Sequence, residues 1–385
     1  MLPANRSLER RVRSRLRSLR SEGLLRTLQP PSGIDLCSND YLCLSSHEFV
    51  RQGMARAAGE GCGSTGSRLL RGERDAFQRL ESRFAAFKGT ERSLFFSSGY
   101  LANLAVLTAF AEPGDVIYSD ERNHASLIDG IRLSRAERRI FPHNDANALA
   151  RLLSGETAPG QKFVVTESLF SMDGDIAPLA EYAALCDSAG AALIVDEAHA
   201  VGIYGPRGSG LLEVTGASAF LSINTAGKAL GVSGAFVAGP EWAIEYLIQC
   251  ARPFVFSTAT PPPVAAALEA SLSVIESEPW RRGQLLSRAR YLRERLRDAG
   301  IAVAQGDSQI VPVILGDNSR AVEVAGMLQR QGFDVRAIRP PTVPPGTARL
   351  RLSVNAGLSE ELIDRFVAAW ACALQETVQC PAVSS

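Results

Sequence analysis

From about residue 93 the apolar positions gather into short β-rich runs separated by stretches of helical period. Seven runs read as strands: Ser93–Ser97, Val116–Ser119, Arg139–Phe141, Phe163–Thr166, Ala192–Asp196, Phe220–Asn224 and Ala235–Ala238. Helical patterns such as Leu101–Phe110 and Leu179–Ala189 lie between them. Strands that are apolar throughout need cover on both faces, and the alternating helices supply it. The pattern therefore predicts an α/β domain around a mainly parallel sheet. The prolines Pro261, Pro262 and Pro263 interrupt it. Beyond them come helical stretches at 264–277 and 282–299, strands at Ile310–Leu315, Val335–Ile338 and Leu350–Val354, a helix near 319–331 and a last helix from about Ser359. This part reads as a smaller α+β domain. The expected division is a helical segment over 1–42, a large domain over 43–265 and a small C-terminal domain over 266–385. In the first segment Leu8, Val12, Leu16 and Leu19 recur at helical spacing among Arg6, Arg10, Arg11, Arg13, Arg15, Arg17 and Arg20. An amphipathic helix lying against the body of the protein is expected there.

Charge narrows the function classes. Lys plus Arg and Asp plus Glu both number 41. A formally neutral chain lacks the positive excess that nucleic-acid binding draws on. Apolar runs such as Ala191–Val195 are far short of the ~20 residues a membrane span needs. The seven cysteines, Cys37, Cys43, Cys62, Cys186, Cys250, Cys372 and Cys380, show no CxxC spacing. Scattered reduced thiols in a cytoplasmic protein are expected. His47, His124, His143 and His199 form no HxxxH pair, so no metal centre is expected. The basic residues carry one strong bias: only Lys88, Lys162 and Lys228 are lysines. Chemistry that needs a primary amine has three candidates.

Lys228 follows a strand in Asn224-Thr-Ala-Gly-Lys-Ala-Leu-Gly-Val-Ser-Gly234. Small neighbours admit a bulky ligand and leave the amine poorly solvated, a setting suited to a Schiff base. Lys88 reads as a cation at a helix C-terminus, and Lys162 as an edge charge. Asp196 closes the most apolar strand, in Val195-Asp-Glu-Ala-His199. It is either a cap or a buried carboxylate facing a cation. A carboxylate beside a lysine Schiff base is the pairing that pyridoxal phosphate uses, since the acid keeps the pyridine nitrogen protonated. His199 would reach the ring oxygen. Gly99, in Ser97-Ser-Gly-Tyr-Leu-Ala-Asn103, opens a helix after a strand, where free amides suit a phosphate. His124 is a ring able to stack on the cofactor, and Ser171 a donor after the next strand. Ligands of open α/β sheets bind beyond the carboxyl ends of the strands, where all these residues fall.

Together these segments resemble the α-oxoamine synthases, pyridoxal-phosphate enzymes of the aspartate-aminotransferase superfamily. The resemblance runs from Ser38-Asn-Asp-Tyr-Leu42 to Arg349-Leu-Arg-Leu352. It implies the aspartate-aminotransferase-like fold (PLP fold type I), with a mainly parallel seven-stranded sheet. It also implies an acyltransferase that condenses an amino acid with an acyl thioester and releases carbon dioxide. His143-Asn-Asp145, Val165-Thr-Glu-Ser-Leu-Phe-Ser-Met-Asp-Gly-Asp175 and Ile338-Arg-Pro-Pro-Thr-Val-Pro344 resemble members that join L-alanine to pimeloyl-CoA or a pimeloyl carrier protein in biotin biosynthesis. Glycine-using sisters, such as 2-amino-3-ketobutyrate CoA ligase and 5-aminolevulinate synthase, are the alternative. By resemblance Lys228, His124 and Asp196 are catalytic. Gly99, Tyr100, His124, Ser171, Asp196, His199, Thr225 and Lys228 hold the cofactor. Arg26, Asn39, His124, Thr342 and Arg351 meet substrate. The loop from Gly61 to Arg68 resembles one that reaches a neighbouring subunit, which implies a homodimer.

Overall fold

The structure is a computed structural model that describes residues 3–155 and 160–379. It divides into two units, Asn39–Ser171 with Asp175–Leu285, and Met1–Ser38 with Met172–Gly174 and Leu286–Ser385. The strands, in chain order, are β1 (Ile34–Asp35), β2 (Arg92–Phe96), β3 (Val116–Asp120), β4 (Glu137–Phe141), β5 (Lys162–Glu167), β6 (Ala191–Asp196), β7 (Leu221–Thr225), β8 (Ala235–Gly239), β9 (Ile310–Gly316), β10 (Phe333–Asp334), β11 (Ala337–Ile338) and β12 (Ala348–Ser353).

The unit containing Asn39–Ser171 is built on a seven-stranded sheet of order β2-β8-β7-β6-β5-β3-β4. Its strands are the seven predicted runs. Strands β4, β3, β5, β6 and β7 pair in parallel, while β8 is antiparallel to both β7 and β2. Central strands are buried residue after residue: Phe163, Val164 and Val165 in β5, and Leu193, Ile194 and Val195 in β6. That is why they read as apolar runs without alternation. The edge strand β4 instead exposes Glu137, Arg138 and Ile140, and its charges guard an open edge. The helix Gly99–Phe110 buries Ala102, Asn103, Ala105, Val106 and Leu107. Ser98 caps it, its side chain accepting from the Leu101 amide. The helix Ala125–Ser134 packs so closely that a Cβ at Gly130 would lie 2.8 Å from Leu107.

In the other unit β9, β12 and β11 form an antiparallel sheet, and β1 pairs in parallel with β10. Asp317 caps the helix Asn318–Arg330, accepting from the Ser319 and Arg320 amides. Phe333, Phe366 and Trp370 stack edge to face and are buried. The single strand expected over Val335–Ile338 is split. Residues 333–334 serve β1 and residues 337–338 serve β12, so the chain changes partner at Val335.

The expected N-terminal helix exists as Pro3–Ser21, but its apolar stripe does not lie on the body of the protein. Leu8, Val12 and Leu16 are each about half exposed. The helix is anchored at its C-terminal end instead, where Asn318 donates to the Glu22 carbonyl. No described helix is long and apolar enough to cross a membrane. The six described cysteines carry free thiols, and Cys380 lies outside the described residues.

Candidate active site

Because β2 runs in the same sense as β7, the loops after β2, β3, β5, β6 and β7 all leave the same edge of the sheet. Asp196 ends β6 and is buried. Its Oδ1 accepts from the Ala198 amide at 2.9 Å, and its Oδ2 accepts from Asn103 Nδ2 at 2.7 Å. It is a buried carboxylate, and it braces a turn rather than capping a helix, since the residues that follow form turns up to Gly210. The turn it starts carries His199, also buried, whose Nδ1 lies 2.7 Å from the Tyr41 hydroxyl. Nε2 of the same ring lies 2.9 Å from Lys228 Nζ. The Tyr41 hydroxyl also donates to Asn39 Oδ1 at 3.0 Å.

Lys228 sits in a tight turn after β7. The Gly231 amide donates to the Lys228 carbonyl at 2.8 Å, and the Ala226 amide to the Gly234 carbonyl at 2.8 Å. At Gly231 φ is +67° and a Cβ would come 2.5 Å from the Ser45 amide nitrogen. Glycine there lets the turn close, which explains the small residues around the lysine. Gly99 meets the same strand end, where a Cβ would lie 2.5 Å from Thr225 Oγ1. That cradle stays open because position 99 has no side chain.

His124 follows β3 and caps the helix Ala125–Ser134. Its Nδ1 accepts from the Ser126 amide at 3.2 Å and lies 2.7 Å from the Ser126 hydroxyl. Asn103 Nδ2 lies 2.9 Å from Ser126 Oγ. Desolvation lowers the pKa of His124; Asp196 pulls it up, and the charge of Lys228 pushes it down. Ser171, half-buried, donates its amide to Glu167.

Tyr100, next to Gly99 in the same helix, is exposed, and its hydroxyl donates to Asp129. Arg26, Thr342 and Arg351 belong to the other unit. There Arg26 donates to Thr342 Oγ1 at 3.4 Å, and the buried Arg351 donates to Ser353 Oγ at 2.6 Å.

Several residues escaped the sequence reading. Tyr41, Asn103, Ser126 and Glu167 all join this cluster. Glu167 ends β5 opposite Asp196 in register and is almost fully buried. Burial, together with the Asp196 charge, raises its pKa to about 8 against the pull of Lys228 and the amides of His124 and Ser171. A carboxylate closing an apolar strand was the available signal, the same one that marked Asp196. Lys88 does close the helix Asp75–Lys88, as expected, but its side chain turns inward: it is buried, and Nζ pairs with Glu197 and the Ser209 carbonyl. The partner residues lie more than a hundred positions along the chain, beyond the reach of local pattern.

One unit therefore gathers an amine held by an imidazole, a buried carboxylate, an open ring and a glycine cradle beside a hydroxyl. This donor set suits a pyridine ring bearing an aldehyde and a phosphate. A family model described as aminotransferase class I and II matches residues 31–369. The 8-amino-7-oxononanoate synthase of Anaeromyxobacter dehalogenans strain 2CP-1 is 45% identical, over 95% of this chain and 96% of its own. Among solved structures, a serine palmitoyltransferase carrying pyridoxal phosphate has a TM-score of 0.90 at 30% identity, covering 96% of this chain and 98% of its own. The 8-amino-7-oxononanoate synthase of Francisella tularensis has a TM-score of 0.78 at 29% identity, covering 90% of this chain and 99% of its own. With that cluster at the carboxyl edge of its sheet and these relatives across its length, the chain belongs to the class I and II aminotransferase family, and within it to the pyridoxal-phosphate-dependent acyltransferases of the 8-amino-7-oxononanoate synthase group.

Proposed function

We propose that the chain condenses L-alanine with a pimeloyl thioester, carried by CoA or a carrier protein, to give 8-amino-7-oxononanoate, carbon dioxide and the free thiol. The observation that carries this reading is Lys228 Nζ, held 2.9 Å from His199 Nε2 in a turn that glycine allows to close. When bound, pyridoxal phosphate supplies the electron sink that stabilises negative charge at the α-carbon of the amino acid. Lys228 would hold it covalently. Asp196 would serve the ring nitrogen, and its bond from Asn103 keeps the carboxylate oriented. His199 would serve the ring oxygen, braced by Tyr41. Gly99, Tyr100, Thr225 and Ser171 would serve the phosphate and its surroundings, and His124 would stack on the ring.

Once alanine has taken its place, Lys228 Nζ is free to remove the α-proton as general base. The exposed carbon attacks the thioester carbonyl, and the thiol leaves. After carbon dioxide is lost, Lys228 and His124 direct the proton that returns to the α-carbon. Arg351 serves as a bidentate grip for the amino-acid carboxylate, with Asn39 as a further donor. Arg26 and Thr342 serve the acyl substrate. The protein acts as a cytoplasmic homodimer, the loop from Gly61 to Arg68 reaching the second subunit.

Lys228→Ala tests the reading. Loss of the visible absorbance of lysine-bound pyridoxal, with loss of carbon dioxide release from alanine and pimeloyl-CoA, is expected. Retained absorbance and turnover would overturn it. Turnover of glycine with acetyl or succinyl thioester, in place of alanine with the pimeloyl ester, would move the chain to a sister activity.

A further inference from the structure

His124 is tied to Asp196 by a chain of side chains. The two donors of Asn103 Nδ2 point to Asp196 Oδ2 at 2.7 Å and to Ser126 Oγ at 2.9 Å. The opposite amide orientation would set its carbonyl oxygen against the carboxylate, so the nitrogen belongs on this side. Ser126 Oγ accepts from Asn103, which leaves its own proton free for its other neighbour, His124 Nδ1, at 2.7 Å. The Ser126 amide donates to the same nitrogen at 3.2 Å. Two donors converge on Nδ1, which must accept, and the proton of a neutral imidazole then resides on Nε2. Asn103 and Ser126 are each about 1% exposed, so water does not compete for the bond between them, whereas His124 at the end of the chain is exposed.

We infer that Asn103 and Ser126 are positioning residues that hold His124 in its Nε2–H tautomer and couple the orientation of its ring to Asp196. The inference rests on the reading of His124 as the ring that stacks on the cofactor and directs proton return. The charged groups acting on the ring are Asp196 and Lys228. Neither supplies the donor that Ser126 does. The relay leaves Nε2–H as the proton-bearing edge of the ring, the one available for transfer.

With only four histidines in the chain, ¹⁵N-histidine NMR of the full-length protein, with and without pyridoxal phosphate, resolves His124 directly. Its assignment comes from His124→Gln. The expected spectrum is that of a neutral Nε2–H ring. Ser126→Ala should move His124 toward a mixture of tautomers and lower kcat about fivefold, the effect of one lost hydrogen bond, with KM for alanine little changed. Asn103→Ala should do the same, and the double variant should cost no more than the worse single one, because both act through one chain. An Nδ1–H or doubly protonated His124 at neutral pH in the unmodified protein would overturn the inference, as would Ser126→Ala with unchanged tautomer and kcat. The tautomer is read without turnover. A protein that lacks the proposed activity yet shows the expected spectrum would fail on function alone.

Discussion

Replacing Lys88 by methionine strips the cation from a carboxylate that has no other ion-pair partner among the described residues. The Glu197 side chain is fully buried, that of Lys88 is 3% exposed, and the ammonium also serves the Ser209 carbonyl. In the variant Glu197 keeps the Leu212 amide, which donates to Oε1 at 3.0 Å. At Gly210 even a Cβ would lie 2.5 Å from both carboxylate oxygens, so the wall of the site is already in contact with it. An isolated charge fixed in that position costs about 3–5 kcal/mol of stability. Adding Glu197→Gln removes the charge while an oxygen remains for the Leu212 amide, and the double variant should recover more than half of the loss. Urea unfolding followed by far-UV circular dichroism at neutral pH reads the midpoints of the three proteins. If Lys88→Met costs less than about 1 kcal/mol, or if the double variant is worse than the sum of the single ones, the pair does not hold Glu197 as argued.

Two further outcomes follow from the same geometry. His143 lies between Asp120, 2.9 Å from its Nδ1, and Asp175; burial pulls its pKa down, but the two carboxylates more than reverse that and raise it to about 9 from 6.5. A folded-state value above the unfolded one gives stability that is complete below about pH 6.5 and is lost as pH rises through about 9. The melting temperature should therefore fall between pH 7 and 10 more steeply in the unmodified protein than in His143→Gln, and parallel curves would refute the link. Gly99→Ala places a methyl 2.5 Å from Thr225 Oγ1, and by overpacking should weaken pyridoxal-phosphate affinity roughly tenfold in an absorbance titration; unchanged affinity would show that the cradle lies elsewhere.

Strands and the residues that close them were legible because burial on both faces writes itself into composition. Strand β6 is apolar until an acid ends it, and Asp196 stood out for that reason, while Lys228 stood out as one of three lysines, set among glycines just past a strand. Leu179–Ala189 was read to its exact ends because the Gly190 that follows takes a left-handed conformation that stops the helix. Glu167 carried the same signal as Asp196 and was passed over for want of a cationic neighbour in sequence. Asn103 was legible in part, as a polar residue on an otherwise apolar helix, but its bonds to Ser126 and Asp196 depend on tertiary placement. The Lys88–Glu197 pair had no local signature. A lysine before glycine at a helix end fits the dipole whether or not its stem turns inward. The N-terminal stripe shows the opposite failure: period predicts a helix, while nothing in the period says what will cover it.

The pairing of β1 with β10 has a consequence for synthesis. Ile34–Asp35 leaves the ribosome about 300 residues before Phe333–Asp334, which at ~5–20 residues per second is a wait of roughly 15–60 s. During it, every strand of the seven-stranded sheet is already available once Gly239 has emerged. The newborn chain therefore carries an unzipped N-terminal strand while all seven strands of the large sheet have emerged, and chaperones would meet it in that state.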